Sequence, residues 1–204
     1  MRIFAIGRNY AEHISELNNE RPDEPVIFTK PDTSLLRNNA PFYYPNISKD
    51  IHYEVELVLK ISKEGKAIEE KFAHKYYDSI GIGVDFTARD LQQKAKEKGL
   101  PWDIAKGFNG SAPVSDTFYP VSHFKDLNNI NFKLEVDGLV KQQGNTSHML
   151  FNFDYIISYL SNFFTLKTGD LIFTGTPKGV GPVALGNQLS AYIENEKLLE
   201  FEVK

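Results

Sequence analysis

The sequence contains no cysteine, which excludes disulfides and thiolate metal sites. Long apolar runs are missing too. The opening Met-Arg-Ile-Phe-Ala-Ile-Gly is too short for a signal peptide, and no later run reaches the length of a membrane span. The expected location is therefore the cytoplasm, with no membrane partner. Positive charge is not in excess: Lys and Arg number 23 against 27 Asp and Glu, for a net charge of −4. That balance argues against non-specific nucleic-acid binding, which needs a basic patch. Internal repeats, low-complexity segments and a dividing linker are absent as well.

What is present suits one packed globule. The 204 residues are 41% hydrophobic and 13% aromatic, enough for a sizeable core. One domain spanning 1–204 is expected, with no separate N-terminal domain. Arg2 to Ile6 predicts a short strand closed by Gly7. Asn9 is a candidate cap for two helical turns reaching Leu17. Asn18 to Pro25 is polar and predicts a loop, and Val26 to Thr29 a strand stopped by Pro31. Asp32 to Asn46 should be irregular. Ala67 to Tyr77 has helical composition. Thr87 is a candidate cap, with Asp90 in the first turn, for a helix to Lys98 that Gly99 and Pro101 stop. Trp102 to Ser115 predicts a loop passing near a site. Ile130 to Val136 and Leu139 to Gln143 flank Asp137-Gly138, a hairpin signal. Asn152 to Phe163 has helical spacing, Leu171 to Phe173 predicts a strand, and Gln188 to Ile193 with Leu198 to Val203 a final hairpin.

The stretch His52-Tyr53-Glu54-Val55-Glu56-Leu57 has period two. Tyr53, Val55, Leu57 and Leu59 fall on one side; His52, Glu54, Glu56 and Val58 fall on the other. The Cα atoms of Glu54 and Glu56 are then roughly 7 Å apart on one face. On a solvated face these are ordinary surface glutamates. Facing a dry cavity, one takes up a proton or a cation sits between them. Ser79 to Val84, an apolar run with two glycines, predicts a buried strand that delivers Asp85 to a cleft. Three carboxylates without cysteine make an all-oxygen site, which selects Mg²⁺ or Mn²⁺ over zinc.

His13 and Glu16 are neighbours on a helix. They form either a surface pair or a base with a carboxylate that fixes its tautomer. Lys106 is a loop charge, solvated or functional. Thr174 to Pro182 is glycine-rich without the Walker A spacing. It is a structural turn or a cradle of backbone N–H groups for an anion.

Six segments in order resemble the fumarylacetoacetate hydrolase family, in its short acylpyruvase and oxaloacetate decarboxylase-like branch. They are GRNYAEH from Gly7, HYEVEL from His52, DFTARDLQ from Asp85, LPWDIAKGF from Leu100, QQGNTSHM from Gln142 and GTPKGVGP ending at Pro182. The resemblance implies an α+β fold, a mixed β-sandwich roll with a few helices, and a homodimer. By it, Glu54, Glu56 and Asp85 match the metal ligands, with Mg²⁺ the expected ion and Mn²⁺ the alternative. Lys106 matches the catalytic lysine, and His13 with Glu16 the pair on a helix that orders over the substrate. Thr176 matches a residue holding the substrate carboxylate; Arg8, Arg89 and Gln92 match residues lining or bracing the site. Gly107 departs from the serine common after the lysine.

The activity so implied is hydrolysis of acylpyruvates or fumarylpyruvate to pyruvate and a carboxylic acid. Metal charge and Lys106 would stabilise the pyruvate enolate that C–C cleavage leaves. Oxaloacetate decarboxylation, keto–enol tautomerisation and isomerisation of 2-hydroxyhepta-2,4-diene-1,7-dioate are the alternatives. A catalytically silent metal-binding domain is the reading from another class.

Overall fold

The structure is a computed structural model that describes residues 1–16 and 20–204. Leu17 and the start of the loop expected from Asn18 lie outside the described residues. The chain runs β1 (Ile3–Gly7), α1 (Ala11–Glu16), β2 (Val26–Lys30), β3 (Leu35–Leu36), β4 (Ile51–Tyr53), β5 (Val55–Ile61) and α2 (Glu70–Ala73). It continues through β6 (Tyr77–Val84), β7 (Thr87–Ala88), α3 (Arg89–Lys98), α4 (Asp103–Lys106), β8 (Ala112–Pro113) and β9 (Tyr119–Pro120). The last part is β10 (Asn131–Val136), β11 (Leu139–Asn145), α5 (Phe153–Phe163), β12 (Leu171–Phe173), β13 (Gly181–Pro182), β14 (Gln188–Ile193) and β15 (Glu196–Glu202).

Among the described residues a six-stranded sheet has the order β2-β1-β12-β5-β6-β9, and a four-stranded sheet the order β11-β10-β14-β15. The first is mixed: β1 pairs with β12 in parallel, and the other neighbours are antiparallel. The faces of the two sheets share one core, with Leu57, Leu59, Ile80 and Ile82 from one and Phe132, Leu134, Leu189 and Phe201 from the other. Each such side chain contributes on the order of 1.5–3 kcal/mol when fully buried. Helix α5 adds Phe153, Ile156, Ile157 and Leu160 to that core and packs against α2. This is the expected α+β mixed sandwich.

Strand β5 is covered on both faces over most of its length. Val55, Leu57, Leu59 and Ile61 enter the main core, whereas Val58 joins a second cluster with Ile3, Ala5, Val114, Leu171 and Phe173. The expected apolar face thus enters the main core, while the other face, which carries Glu56 and Lys60, is apolar only at Val58. Beside it, Gly83 of β6 lets β12 close in: a Cβ there would sit 2.7 Å from the Phe173 ring.

Several local expectations give way to tertiary contacts. The helical composition from Ala67 to Tyr77 yields only the single turn of α2, because Tyr77 is drawn into β6 opposite Ile61. Thr87 does not cap α3; it pairs with His52 in β7, and its hydroxyl donates to Asp85 O at 3.3 Å. Asn9 ties its side chain to Phe151 and Thr174 across the fold. The loop from Trp102 contains the one-turn α4. Gly99, at φ 63, ends α3 as expected.

Candidate active site

The acidic residues meet because the strand that carries them breaks. β4 leaves to pair with β7 and β13, while β5 joins the large sheet, and Glu54 occupies the joint. Asp85 follows β6 directly, and its N–H donates to Glu54 O at 2.7 Å, which locks the two ends in register. Glu56 lies one pleat further along β5. Glu54, Glu56 and Asp85 are all buried, and one carboxylate oxygen from each lies within 4.8 Å of the others.

Three cations compensate this cluster. Lys106, at the end of α4, donates to Glu54 Oε2 at 2.8 Å and to Asp85 Oδ2 at 2.7 Å. Arg89 donates to Glu54 Oε1 at 2.5 Å and to Gln92 Oε1 at 2.6 Å. Lys30 Nζ is 2.7 Å from Asp85 Oδ1. Lys30 is fully desolvated and also donates to the carbonyls of Phe86, Lys106 and Ser111 and to the Ser111 hydroxyl.

The charges are unevenly shared. Burial raises Glu54, but Lys106 and then Arg89 outweigh it and hold its carboxyl below the usual range. Glu56 goes the other way: burial, then the charges of Asp85 and Glu54, push it well up. The Gly175 N–H at 2.6 Å opposes this only in part. Burial lowers Lys106, but Asp85 and Glu54 more than reverse that. Lys30 is lowered, by burial first.

The remaining expected residues gather around the same cavity, which Arg8, His13, Arg89, Gln92, Lys106 and Thr176 line together with the three acids. His13 is buried, and its Nδ1 is 3.2 Å from Glu16 Oε2. Glu16 also accepts from the Gly179 N–H at 3.0 Å, so α1 is pinned to the glycine-rich loop. Burial lowers His13 more than Glu54 and Glu16 raise it. The surface reading thus fails for His13, which is buried, while Glu16 stays exposed; the solvated reading of Lys106 fails as well. Thr176 is set by Gln142, which reaches over from β11. Gln142 Oε1 accepts from the Val55 N–H at 2.9 Å, so its amide nitrogen faces Thr176 Oγ1 at 2.8 Å and Pro177 O at 2.9 Å. Thr176 Oγ1 therefore accepts, and its own proton is left to point elsewhere.

Residues 2–204 match the model of the fumarylacetoacetate hydrolase C-terminal region. The chain belongs to the fumarylacetoacetate hydrolase family. It is 47% identical over 193 residues to the mitochondrial oxaloacetate decarboxylase of Dictyostelium discoideum, covering 94% of this chain and 88% of that protein. It is 42% identical over 202 residues to the mitochondrial oxaloacetate tautomerase FAHD1 of Bos taurus, covering 99% and 91%. Among solved structures it superposes on fumarylpyruvate hydrolase from Pseudomonas aeruginosa, in complex with Mn²⁺ and pyruvate. The TM-score is 0.93 at 36% identity, covering 100% of this chain and 89% of the other.

For a family enzyme, the donor set here fits a hard divalent cation: three buried carboxylates with no softer ligand among them. The Lys106 ammonium pairs with Glu54 and Asp85, while among the described residues Glu56 has no cation within ion-pair distance. Glu54, Glu56 and Asp85 would hold the ion.

Three side chains of this site escaped the sequence reading. Lys30 ends an ordinary-looking strand before Pro31, and nothing local marks it as buried. Lys96 lies in a lysine-rich helix and reads as solvated. Gln142 stands inside a motif that carries the family resemblance, which was the one available signal.

Proposed function

We propose that this protein is a divalent-cation-dependent enzyme of short 2-oxo acids that generates or interconverts a pyruvate-type enolate. Oxaloacetate decarboxylation or tautomerisation is its foremost activity. The observation that carries this reading is the Glu54, Glu56 and Asp85 cluster with Lys106 set directly upon it. The relatives named for oxaloacetate chemistry support it. Mg²⁺ is the proposed ion. When bound, it supplies Lewis-acid stabilisation of developing negative charge.

The chain's own residues do the rest. In decarboxylation the C3–C4 bond of oxaloacetate breaks, its electron pair moves to the C2 oxygen, and carbon dioxide leaves. C3 then takes a proton to give pyruvate. Lys106, buried and held in place by its ion pairs, stabilises the enolate charge. Thr176 and the backbone N–H groups of its loop hold the C1 carboxylate. Tautomerisation moves one proton between C3 and the same oxygen.

The His13–Glu16 pair favours acylpyruvate hydrolysis as a second reading. Glu16 engages Nδ1, which leaves Nε2 as the base that takes a proton from water. The hydroxide adds to the distal carbonyl, the C–C bond breaks into the pyruvate enolate, and C3 is protonated. Intact Lys106, His13 and Glu16 argue against a silent metal-binding domain.

The test is to assay both reactions on the same preparations with Mg²⁺ saturating. His13→Ala should lose acetylpyruvate hydrolysis by roughly 100-fold to 10,000-fold and keep oxaloacetate decarboxylation. Parallel loss of both would mean that α1 closes the site for every substrate. If the wild type neither hydrolyses acetylpyruvate nor decarboxylates or tautomerises oxaloacetate, the whole reading is refuted. We further propose a homodimer, to be checked by light scattering. Cytoplasmic placement stays our proposal; some relatives are named mitochondrial, and cell fractionation decides.

A further inference from the structure

The cavity holds more positive charge than its carboxylates use. Helix α3 presents Arg89, Gln92 and Lys96 to it, at the i, i+3, i+7 spacing of one helix face. Arg8 enters from the turn after β1, held at φ 60, a left-handed conformation that is strained for a non-glycine residue. Arg89 pairs with Glu54. Among the described residues neither Arg8 nor Lys96 has a carboxylate within ion-pair distance. The Nε atoms of Arg8 and Arg89 are buried with no hydrogen-bond partner. Burial, and then the charges of Arg89 and Arg8, lower Lys96, so the three cations feel one another. Beside them stand the apolar walls of Phe28 and Trp102, with Lys96 Nζ 5.7 Å from the Trp102 ring centroid.

Like charges gathered in a part-desolvated cavity repel, and donors buried without acceptors are costly. An anion with several oxygens relieves both at once. The three acids and Lys106 already account for the 2-oxo end of the substrate in the proposed reading, on which this step rests. We propose that Arg8, Lys96 and the unpaired edge of Arg89 form a subsite for a second carboxylate, with Lys96 as its specificity-determining residue. The enzyme thus takes dicarboxylic 2-oxo acids in preference to those that end in a neutral group; with oxaloacetate, ion pairs to the C4 carboxylate oppose its loss as carbon dioxide, so there the subsite serves tautomerisation.

The test uses a matched pair of unreactive probes of equal chain length, 2-oxoglutarate and 2-oxopentanoate. Their affinities are measured by calorimetry at fixed ionic strength with Mg²⁺ saturating. Wild type should bind 2-oxoglutarate roughly 10-fold more tightly or better, the worth of one charge-assisted hydrogen bond. Lys96→Met should bring the ratio to within about 3-fold by weakening 2-oxoglutarate alone, and Lys96→Arg should restore it. Melting curves check that each variant is folded. Equal affinities in wild type, or a preference that survives in Lys96→Met, overturn the subsite. If neither probe binds the wild type, the 2-oxo acid reading itself fails, and the subsite with it.

Discussion

At the scale of single residues, His13 shows how burial prepares a group for chemistry. The ordinary histidine value is 6.5, and burial lowers it here although Glu54 and Glu16 both pull upward. The folded state therefore binds fewer protons than the unfolded one. The resulting stability is present above the ordinary value and lost as pH falls below it toward the folded value. The same shift keeps Nε2 neutral and basic at mildly acid pH. A cation on the carboxylates moves it in the same direction, because it cancels the pull of Glu54. The acid limb of kcat/KM for acylpyruvate hydrolysis should thus lie below 6.5. Glu16→Ala should move that limb further down while lowering the rate. A limb at or above the ordinary value would show that His13 is not the base. The residues alone offered the base reading but could not choose it, since an isolated His and Glu three apart on a helix are usually a solvated pair.

At the scale of elements, the site depends on an interaction between sheets. β11 belongs to the four-stranded sheet, yet its Gln142 joins Val55 on β5 to the Thr176 loop. The period-two pattern made β5 legible, and the Asp-Gly turn made the β10–β11 hairpin legible. Neither could show that the two meet, because that contact is fixed by packing across the sandwich. The extent of α2 and the cap of α3 were misjudged for the same reason: pairing of Tyr77 and Thr87 with other strands overrides local propensity. The Gln142 geometry gives a double-mutant test. Thr176→Val and Gln142→Leu should each raise KM for 2-oxo acids about 10-fold, with kcat little changed, as loss of a hydrogen bond to a charged group predicts. The double variant should be no worse than either single one, because both remove the same directed hydroxyl. Additive losses would mean that Gln142 acts elsewhere. Gln142→Leu should also lower the melting temperature, since it strands the buried Val55 N–H.

At the scale of the whole molecule, the cluster links stability to metal. Glu54 lies at the strand joint, Glu56 on β5 and Asp85 just after β6, on neighbouring inner strands of the large sheet. Their mutual repulsion therefore acts on the core of the fold. A cation that binds the folded state alone stabilises it by about 2.7 kcal/mol at 100 times its Kd. For a chain of this size that is a rise in melting temperature of roughly 5–11 °C. The gain should grow with the logarithm of Mg²⁺ concentration. It should also shrink on acidification, because the raised Glu56 carboxyl takes up a proton that competes with the ion. The pH sign for Glu56 alone is opposite to that of His13. A carboxyl raised above its unfolded value favours the folded state at low pH, and that contribution is lost as pH rises through the folded value. Without metal, acidification thus relieves the site at Glu56; with metal, it dislodges the ion. Glu56→Gln removes both effects, so its melting temperature should respond little to Mg²⁺ while its metal-free form matches or exceeds wild type. Lys106→Met should do the reverse. It strips the metal-free site of the ammonium on Glu54 and Asp85, so the metal-free protein should melt lower and gain more from Mg²⁺ than wild type does. A Glu56→Gln variant that keeps the full Mg²⁺ response would remove Glu56 from the ligand set.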